Sequence, residues 1–495
     1  MSNRRDFLKA AAAGAFAGIF SNPGVFASAA GNSKTKKPNV VFFFVDDMGW
    51  NDVGCYGENR IKTPNIDRLA EQGMKFTNAH APAAICTPSR YGLLTGRYCW
   101  RTWLKRGVIA NTPLLVEPGS FTLASLFKEQ GYKTACIGKW HLGTRMYPPN
   151  DFDGETHFRP PIHPGPNEIG FDYFFGLPVG HFYPPYVYME NDTIFRHDPD
   201  DPVRMIQSPE AGIRGYLQEG GSDARWNEDE VLSDLTIRAQ QYIKDNKDEP
   251  FFLYFPTSSP HTPYTPAGRF KGKSDVGDYG DFVMETDWSV GQIMETLKEC
   301  GVENGTLFIF TSDNGGVDDS TPAFAEYNYN PNGKWRGDKG DIYEGGLRVP
   351  FVAKWPGKIK AGSQSNQLTV LTDMLATLAA ALGNDIPEYA GPDSCNILPA
   401  FFGEENLHRD RGIVLHSRGG MFAIIRGDWK YIHGSGDGEF VPGNHPTPDE
   451  DTEGQLFNLR TDPYEKDDRI KEYPEKAKVL RNFLRKYYSQ GHSKG

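Results

Sequence analysis

Three uninterrupted apolar runs restrict this chain to few folds. Residues 40–45 read Val-Val-Phe-Phe-Phe-Val, 251–255 read Phe-Phe-Leu-Tyr-Phe, and 307–310 read Leu-Phe-Ile-Phe. A strand that is apolar on both faces has to be covered on both, which is the situation of a central strand in a parallel sheet. Residues 134–138 supply a fourth, more mixed strand. The cover is visible between the runs. Helical patterns occupy 65–73, 122–130 and 371–382, the first two stopped by Gly73 and Gly131. Val231, Leu235, Ala239 and Ile243 make one apolar stripe; Val290, Ile293, Met294 and Leu297 make another that ends near Gly301. Strands alternating with helices specify a doubly wound α/β fold, a large mixed, mostly parallel sheet sandwiched by helices. At 495 residues and 38% hydrophobic content, the chain can bury that core and still build a smaller domain.

The alternation breaks between about 144 and 226, where Pro, Tyr, Phe and His accumulate, as in His181-Phe182-Tyr183-Pro184-Pro185-Tyr186. A loop region of this length is functional or flexible. Its aromatic residues suit either sugar rings or the packing of the loop itself, and His181, Tyr183, Tyr186 and Arg225 are the candidates for substrate contact. After about residue 391 the pattern changes again. Residues 422–425, 429–432 and 455–459 read as short strands, with Arg426-Gly427-Asp428 turning the first pair into a hairpin. A last helix follows at 474–488, with Pro474 in its first turn, where a missing N–H costs nothing. The expected organisation is an α/β catalytic domain over 38–390 and a C-terminal α+β domain, built on an antiparallel sheet, over 391–495.

Residues 2–9, Ser-Asn-Arg-Arg-Asp-Phe-Leu-Lys, read as a twin-arginine signal, followed by an apolar run over 10–20 and the cleavage pattern Ala27-Ser28-Ala29. Cleavage after Ala29 would export the chain to the periplasm or beyond. The apolar run is short for a membrane anchor, and nothing later reads as a span. A formal charge of −11 makes nucleic acid a poor partner. The six cysteines show neither CxxC nor zinc spacing and are too scattered for a disulfide framework.

Four polar clusters stand directly after four strands. They are Asp46-Asp47, Lys139-Trp140-His141, His261 beyond a Pro-rich loop, and Asp313-Asn314-Gly315-Gly316. In an open parallel sheet all four fall at the carboxyl edge, where such folds bind ligands. Three carboxylates and an amide oxygen suit Ca²⁺ or Mg²⁺ rather than zinc. Taken singly, Asp-Asp is as good a helix cap and Asp-Asn-Gly-Gly as good a turn.

One motif adds chemistry to the position. Cys86-Thr87-Pro88-Ser89-Arg90, followed by Leu94-Thr95-Gly96-Arg97, resembles the modification signature of type I sulfatases, arylsulfatase-like members of the alkaline phosphatase superfamily. The resemblance runs from about Pro38 to Asp467. It includes Gly-Lys-Trp-His-Leu-Gly at 138–143, Pro-His-Thr-Pro-Tyr at 260–264, Lys339-Gly340 ahead of Tyr343-Glu344-Gly345-Gly346, and the closing stretch 453–463. It implies that a formylglycine-generating or anaerobic sulfatase-maturating enzyme oxidises Cys86 to formylglycine. Hydration of that aldehyde gives a diol, one hydroxyl to attack sulfur and one to expel sulfate. It further implies Ca²⁺ bound by Asp46, Asp47, Asp313, Asn314 and the modified Cys86. Arg90 would stabilise the diol, and Lys139 and Lys339 would clamp sulfate oxygens. His261 would protonate the leaving alcohol and His141 would serve as the later base. Lys334 competes for the second lysine role, but the spacing to Glu344-Gly345-Gly346 favours Lys339. The expected activity is hydrolysis of sulfate esters on a sulfated carbohydrate. The alternatives are a phosphonate monoester or phosphodiester hydrolase of the same superfamily, and a non-catalytic glycan-binding protein.

Overall fold

The apolar run at 40–45 is the centre of strand β1 (Asn39–Val45), in which every side chain is buried. The computed structural model describes residues 37–494 apart from 58–59, 111, 145–154, 158–160, 209, 211–215, 318–321, 408–409 and 440–444. The signal sequence read at 1–29 lies outside the described residues. The pleat of β1 splits its side chains between two cores. Val40, Phe42 and Phe44 join one cluster, while Val41, Phe43 and Val45 join the other. Both faces are therefore dry, as the uninterrupted apolar run requires.

Nine more strands complete the sheet: β2 (Met74–Phe76), β3 (Lys133–Lys139), β4 (Tyr173–Leu177), β5 (Met189–Glu190), β6 (Thr193–Ile194), β7 (Phe251–Pro256), β8 (Thr306–Ser312), β9 (Phe351–Lys354) and β10 (Ser363–Ser365). Their spatial order is β10-β2-β9-β8-β1-β7-β3-β4-β5-β6. The five central strands from β8 to β4 are parallel, with Val41 opposite Leu253 on one side and Phe308 on the other. Antiparallel β9 and the β5–β6 hairpin make the sheet mixed.

The covering helices follow from their sequences. In α1 (Pro64–Glu71) proline takes the first position. The Thr122 hydroxyl caps α3 (Leu123–Glu129) by accepting from Ser125 N at 3.1 Å, and Ser125 Oγ accepts from Thr122 N at 2.7 Å. Helices α1, α4 (Val231–Asn246) and α5 (Gly277–Glu299) lie on one face; α2 (Cys86–Thr95), α3 and α6 (Met374–Ala381) lie on the other. Helix α5 starts well before the stripe that marks its C-terminal half. Buried carboxylates interrupt the apolar pattern of its N-terminal half, and each has a backbone partner. Asp281 accepts from the backbone N–H groups of Gly272, Lys273 and Ser274, and Asp287 from those of Asn65 and Ile66.

The region read as loops carries strands after all. Besides β4 to β6, residues 155–157, 204–207 and 216–219 form a separate three-stranded antiparallel sheet. These strands hold only two to five residues each, too few for a period of two to stand out among so many aromatic side chains.

The C-terminal sheet is antiparallel and four-stranded: β11 (Ile413–His416), β12 (Phe422–Arg426), β13 (Trp429–His433) and β14 (Gln455–Asn458). Arg426 pairs with Trp429 across a two-residue turn in which Gly427 has a φ of 60°. Helix α7 (Pro474–Ser489) buries Leu480, Leu484 and Tyr487 in a core with Ile424 and Tyr431. A buried ion cluster ties this sheet to the larger one. Lys430 Nζ lies 3.0 Å from Glu344 Oε1 and 2.8 Å from Glu465 Oε1, and Glu344 also holds Arg348 at 2.7 Å and His80 at 2.9 Å.

Candidate active site

Strand ends deliver most of the site. Asp46 and Asp47 continue β1, Lys139 ends β3, and Asp313 and Asn314 continue β8. Asp46 N donates to Ser259 O at 3.0 Å and Asp313 N to Val45 O at 3.0 Å, so neighbouring strand ends are pinned together. Asp47 and His141 take φ values of 64° and 55°, a left-handed conformation that is costly for a side chain with a Cβ. That turn is what aims both side chains back over the sheet edge.

Helix α2 supplies Cys86 and Arg90, with all ten of its residues buried, and loops carry His141, His261 and Lys339. Pro88 is tolerated because it falls in the first turn, where no helical hydrogen bond is lost. Gly92 is required by packing: a Cβ there would stand 2.9 Å from Pro82 Cγ and 3.2 Å from a Thr372 methyl. Cys86 is the first residue of the helix and Arg90 lies one turn on, so both face the strand ends.

Cys86 Sγ lies 3.4 Å from Asp46 Oδ1. Arg90 donates to Asp313 Oδ2 through Nε at 3.0 Å and Nη2 at 2.8 Å, and to Lys139 O at 3.1 Å. Lys139 Nζ is 2.5 Å from Asp46 Oδ2, and Lys339 Nζ is 2.6 Å from Asp47 Oδ2. The backbone of Lys339 is fixed by donation to Gly316 O at 2.8 Å, whereas the side chain of Lys334 is exposed. Ligand atoms of Asp46, Asp47, Cys86 and His261 all lie within 4.8 Å of one another. Asn314 donates to Asp47 Oδ1 at 2.8 Å, while its own Oδ1 is buried without a hydrogen-bond partner. Three carboxylates beside an orphaned amide oxygen are the hard donor set of Ca²⁺ or Mg²⁺, so the residues present fit such an ion.

The electrostatics are those of a dry, charge-dense cleft. Burial works to raise the Asp46 carboxyl, but Lys139, Arg90 and Lys339 outweigh it and hold it well below the usual range. Burial, reinforced by the Asp46 charge, pushes the Cys86 thiol far up, so the encoded cysteine is not a thiolate at neutral pH. Burial and then Lys339 lower His261 to about 3; burial, Lys139 and Arg90 lower His141 well below its ordinary value. Both imidazoles are neutral here. His261 Nδ1 lies 2.5 Å from Thr262 O, which turns Nε2 toward Asp47 at 3.6 Å.

The four candidates for substrate contact separate in space. His181 is buried beside His261, ring centroids 6.3 Å apart, with Nε2 on Pro263 O at 2.9 Å. Tyr183 packs edge-on against Phe182. Arg225 lies over the ring of Tyr186 at 5.3 Å and lines a different cavity. Phe182, absent from the sequence-based set, stacks on His261 at 4.6 Å and 17°. Its place in the aromatic run 181–186 was the available signal, but nothing local separates a ring that packs on a histidine from its neighbours.

Comparison with known proteins identifies the family. The sulfatase family profile matches residues 38–384. The chain is 36% identical over 482 residues to an N-acetylgalactosamine-6-O-sulfatase of Bacteroides thetaiotaomicron, covering 91% of this chain and 93% of that protein. It is 33% identical to human N-acetylgalactosamine-6-sulfatase, covering 79% and 71%. A solved sulfatase structure from work on glycosaminoglycan metabolism in Bacteroides thetaiotaomicron superposes with a TM-score of 0.84 at 35% identity, covering 92% of this chain and all of that one. With its ten-stranded sheet, its polar strand ends and relatives that are sulfuric ester hydrolases along most of its length, this chain belongs to the sulfatase family and is itself such a hydrolase.

Proposed function

We propose that this chain removes sulfate esters from a sulfated carbohydrate, with Cys86 matured to formylglycine and Ca²⁺ or Mg²⁺ bound at Asp46, Asp47, Asp313 and Asn314. We further propose that residues 1–29 export it through the twin-arginine route, to the periplasm or beyond. The observation that carries the reading is Cys86 itself. A buried, protonated thiol is a poor nucleophile, yet it stands at the centre of three carboxylates and three cations. The names of the relatives support an amino sugar sulfated at O6 as the first substrate to try.

The bound cation would polarise sulfate oxygens as a Lewis acid. The matured Cys86 would offer, as a hydrate, two hydroxyls on one carbon. The chain's own residues do the remaining work. Lys139 and Lys339 hold sulfate oxygens and stabilise the charge that builds on them. Arg90, fixed by Asp313 and the Lys139 carbonyl, keeps α2 registered against the strand ends. The formal charges of Asp46, Asp47 and Asp313 balance those of Arg90, Lys139 and Lys339, so a divalent cation leaves the cleft positive for an anionic ester. With Nδ1–H donating to Thr262 O, the neutral His261 presents an unprotonated Nε2, the atom that takes up and then delivers the proton to the leaving oxygen. A bound sulfate ester offsets the lysine charges that lower its pKa, so the imidazole gains proton affinity in the complex, next to the leaving oxygen. His141 is neutral and available as a base.

The test is the mass of the proteolytic peptide containing Cys86, from protein produced alongside a maturation enzyme, together with turnover of O6-sulfated amino sugars. A mass of aldehyde in place of thiol is expected; an unmodified thiol in fully active protein would overturn the reading. Asp313→Ala is expected to lower metal content, read by elemental analysis, together with activity, by about 10²-fold or more. Unchanged metal content would remove Asp313 from the ligand set.

A further inference from the structure

The segment that follows β4 faces two sites. Its first part, 180–182, packs on the active-site His261 through Phe182. Four residues beyond Phe182, Tyr186 begins the approach to a second cavity of about 580 Å³, within the range of a small-ligand pocket. Four peptide units span at most about 14 Å, and Arg225, over the Tyr186 ring at 5.3 Å, lines the cavity, so a chain of several sugars is long enough to join the two sites.

The cavity wall is aromatic, with Tyr188, Phe195 and Trp226, and its rim carries Ile237, a large apolar side chain left 60% exposed. Arg238 and Asp234 are already engaged, by Glu190 at 3.3 Å and by the Tyr188 hydroxyl at 3.0 Å. Arg196 and Arg225 are different. Among the described residues neither guanidinium makes an ion pair or a side-chain hydrogen bond. Each instead lies over a ring, Arg196 on Phe195 at 5.2 Å and Arg225 on Tyr186 at 5.3 Å. Stacking orients a guanidinium without using its five N–H donors. Arg196 also holds a φ of 58°, which glycine would adopt freely and arginine does not. Rings for the apolar face of a pyranose, with oriented donors for its oxygens, make a sugar site.

We propose that this cavity is a second glycan subsite, taking a pyranose ring of the same chain whose sulfate is held at Cys86, with Arg196 and Arg225 donating to its hydroxyl or carboxylate oxygens. This rests on the carbohydrate reading above. The test compares KM on an O6-sulfated N-acetylgalactosamine monosaccharide with KM on an octasaccharide carrying the same terminal group, for wild type and for the double variant Arg196→Gly, Arg225→Ala. Glycine accepts the native φ at 196, so the double variant keeps its fold, checked by an unchanged melting temperature. Wild type is expected to favour the octasaccharide, and the variant to lose about tenfold of that advantage, with kcat retained. Equal chain-length preference in wild type and variant, with both sugars turned over, would overturn the subsite alone. A wild type that turned over neither sugar, nor any other sulfated carbohydrate, would overturn the carbohydrate reading and the subsite together.

Discussion

Replacing Cys86 with alanine is expected to lower turnover by about 10⁴-fold or more and to leave the fold intact. Both halves of that expectation come from the surroundings of the residue. The thiol begins α2, where alanine is a good helix former, and its polar contact is Asp46 Oδ1 at 3.4 Å. Removing one small group from this position costs stability about 1 kcal/mol. Activity is another matter, because no other side chain in the cleft can supply the nucleophile. Lys139 and Lys339 are each paired with a carboxylate, and His141 and His261 have the proposed roles of base and acid. Cys86→Ser makes the distinction sharper. A serine has one hydroxyl, so a sulfate it accepts cannot be expelled by a second. It is expected to release at most one equivalent of alcohol and then stop. Steady turnover by either variant at near the wild-type rate would sink the covalent mechanism.

Lys430→Met is expected to carry the largest loss of stability, about 3–5 kcal/mol, read from the denaturant midpoint at pH 8. Lys430, Glu344 and Glu465 are all fully buried. With the lysine gone, Glu465 is left without a counter-ion. Burial already raises it to about 7, against the pull of Lys430. The sign of the pH dependence follows. Above pH 7 the variant has to bury an uncompensated carboxylate or take up a proton that the unfolded chain does not hold. As pH falls the carboxylate becomes neutral and the penalty shrinks. The gap between variant and wild type should therefore narrow from pH 8 to pH 5. Activity should fall as well, since Glu344 belongs to the short turn that follows Lys339. A loss below 1 kcal/mol, or a gap that widened on acidification, would show that the cluster does not hold the two sheets together.

Much of this was legible in the chain. The dry strands at 40–45, 251–255 and 307–310, the helical stripes and the glycine stops are local patterns of period two or 3.6, and local patterns survive in a sequence read one residue at a time. Because a parallel sheet places all its strand ends on one edge, Asp46, Asp47, Lys139, Asp313 and Asn314 could be gathered from their positions after strands. The motif around Cys86 added the chemistry. What folding alone settled is the set of contacts between residues far apart in the chain. Helix α2 lacks an apolar stripe because it is buried on every side, so no periodicity announces it. Phe182 reaches His261, while Arg225 lies over Tyr186 and lines another cavity, although all three aromatic and basic residues come from one irregular stretch. Lys430, an ordinary strand lysine in the sequence, proves to be the counter-ion of two carboxylates 86 and 35 residues away, at Glu344 and Glu465. A charge carries no local sign of its partner. It is the exclusion of water by the packed sheets that makes the pairing obligatory, and that exclusion exists only once the chain has closed.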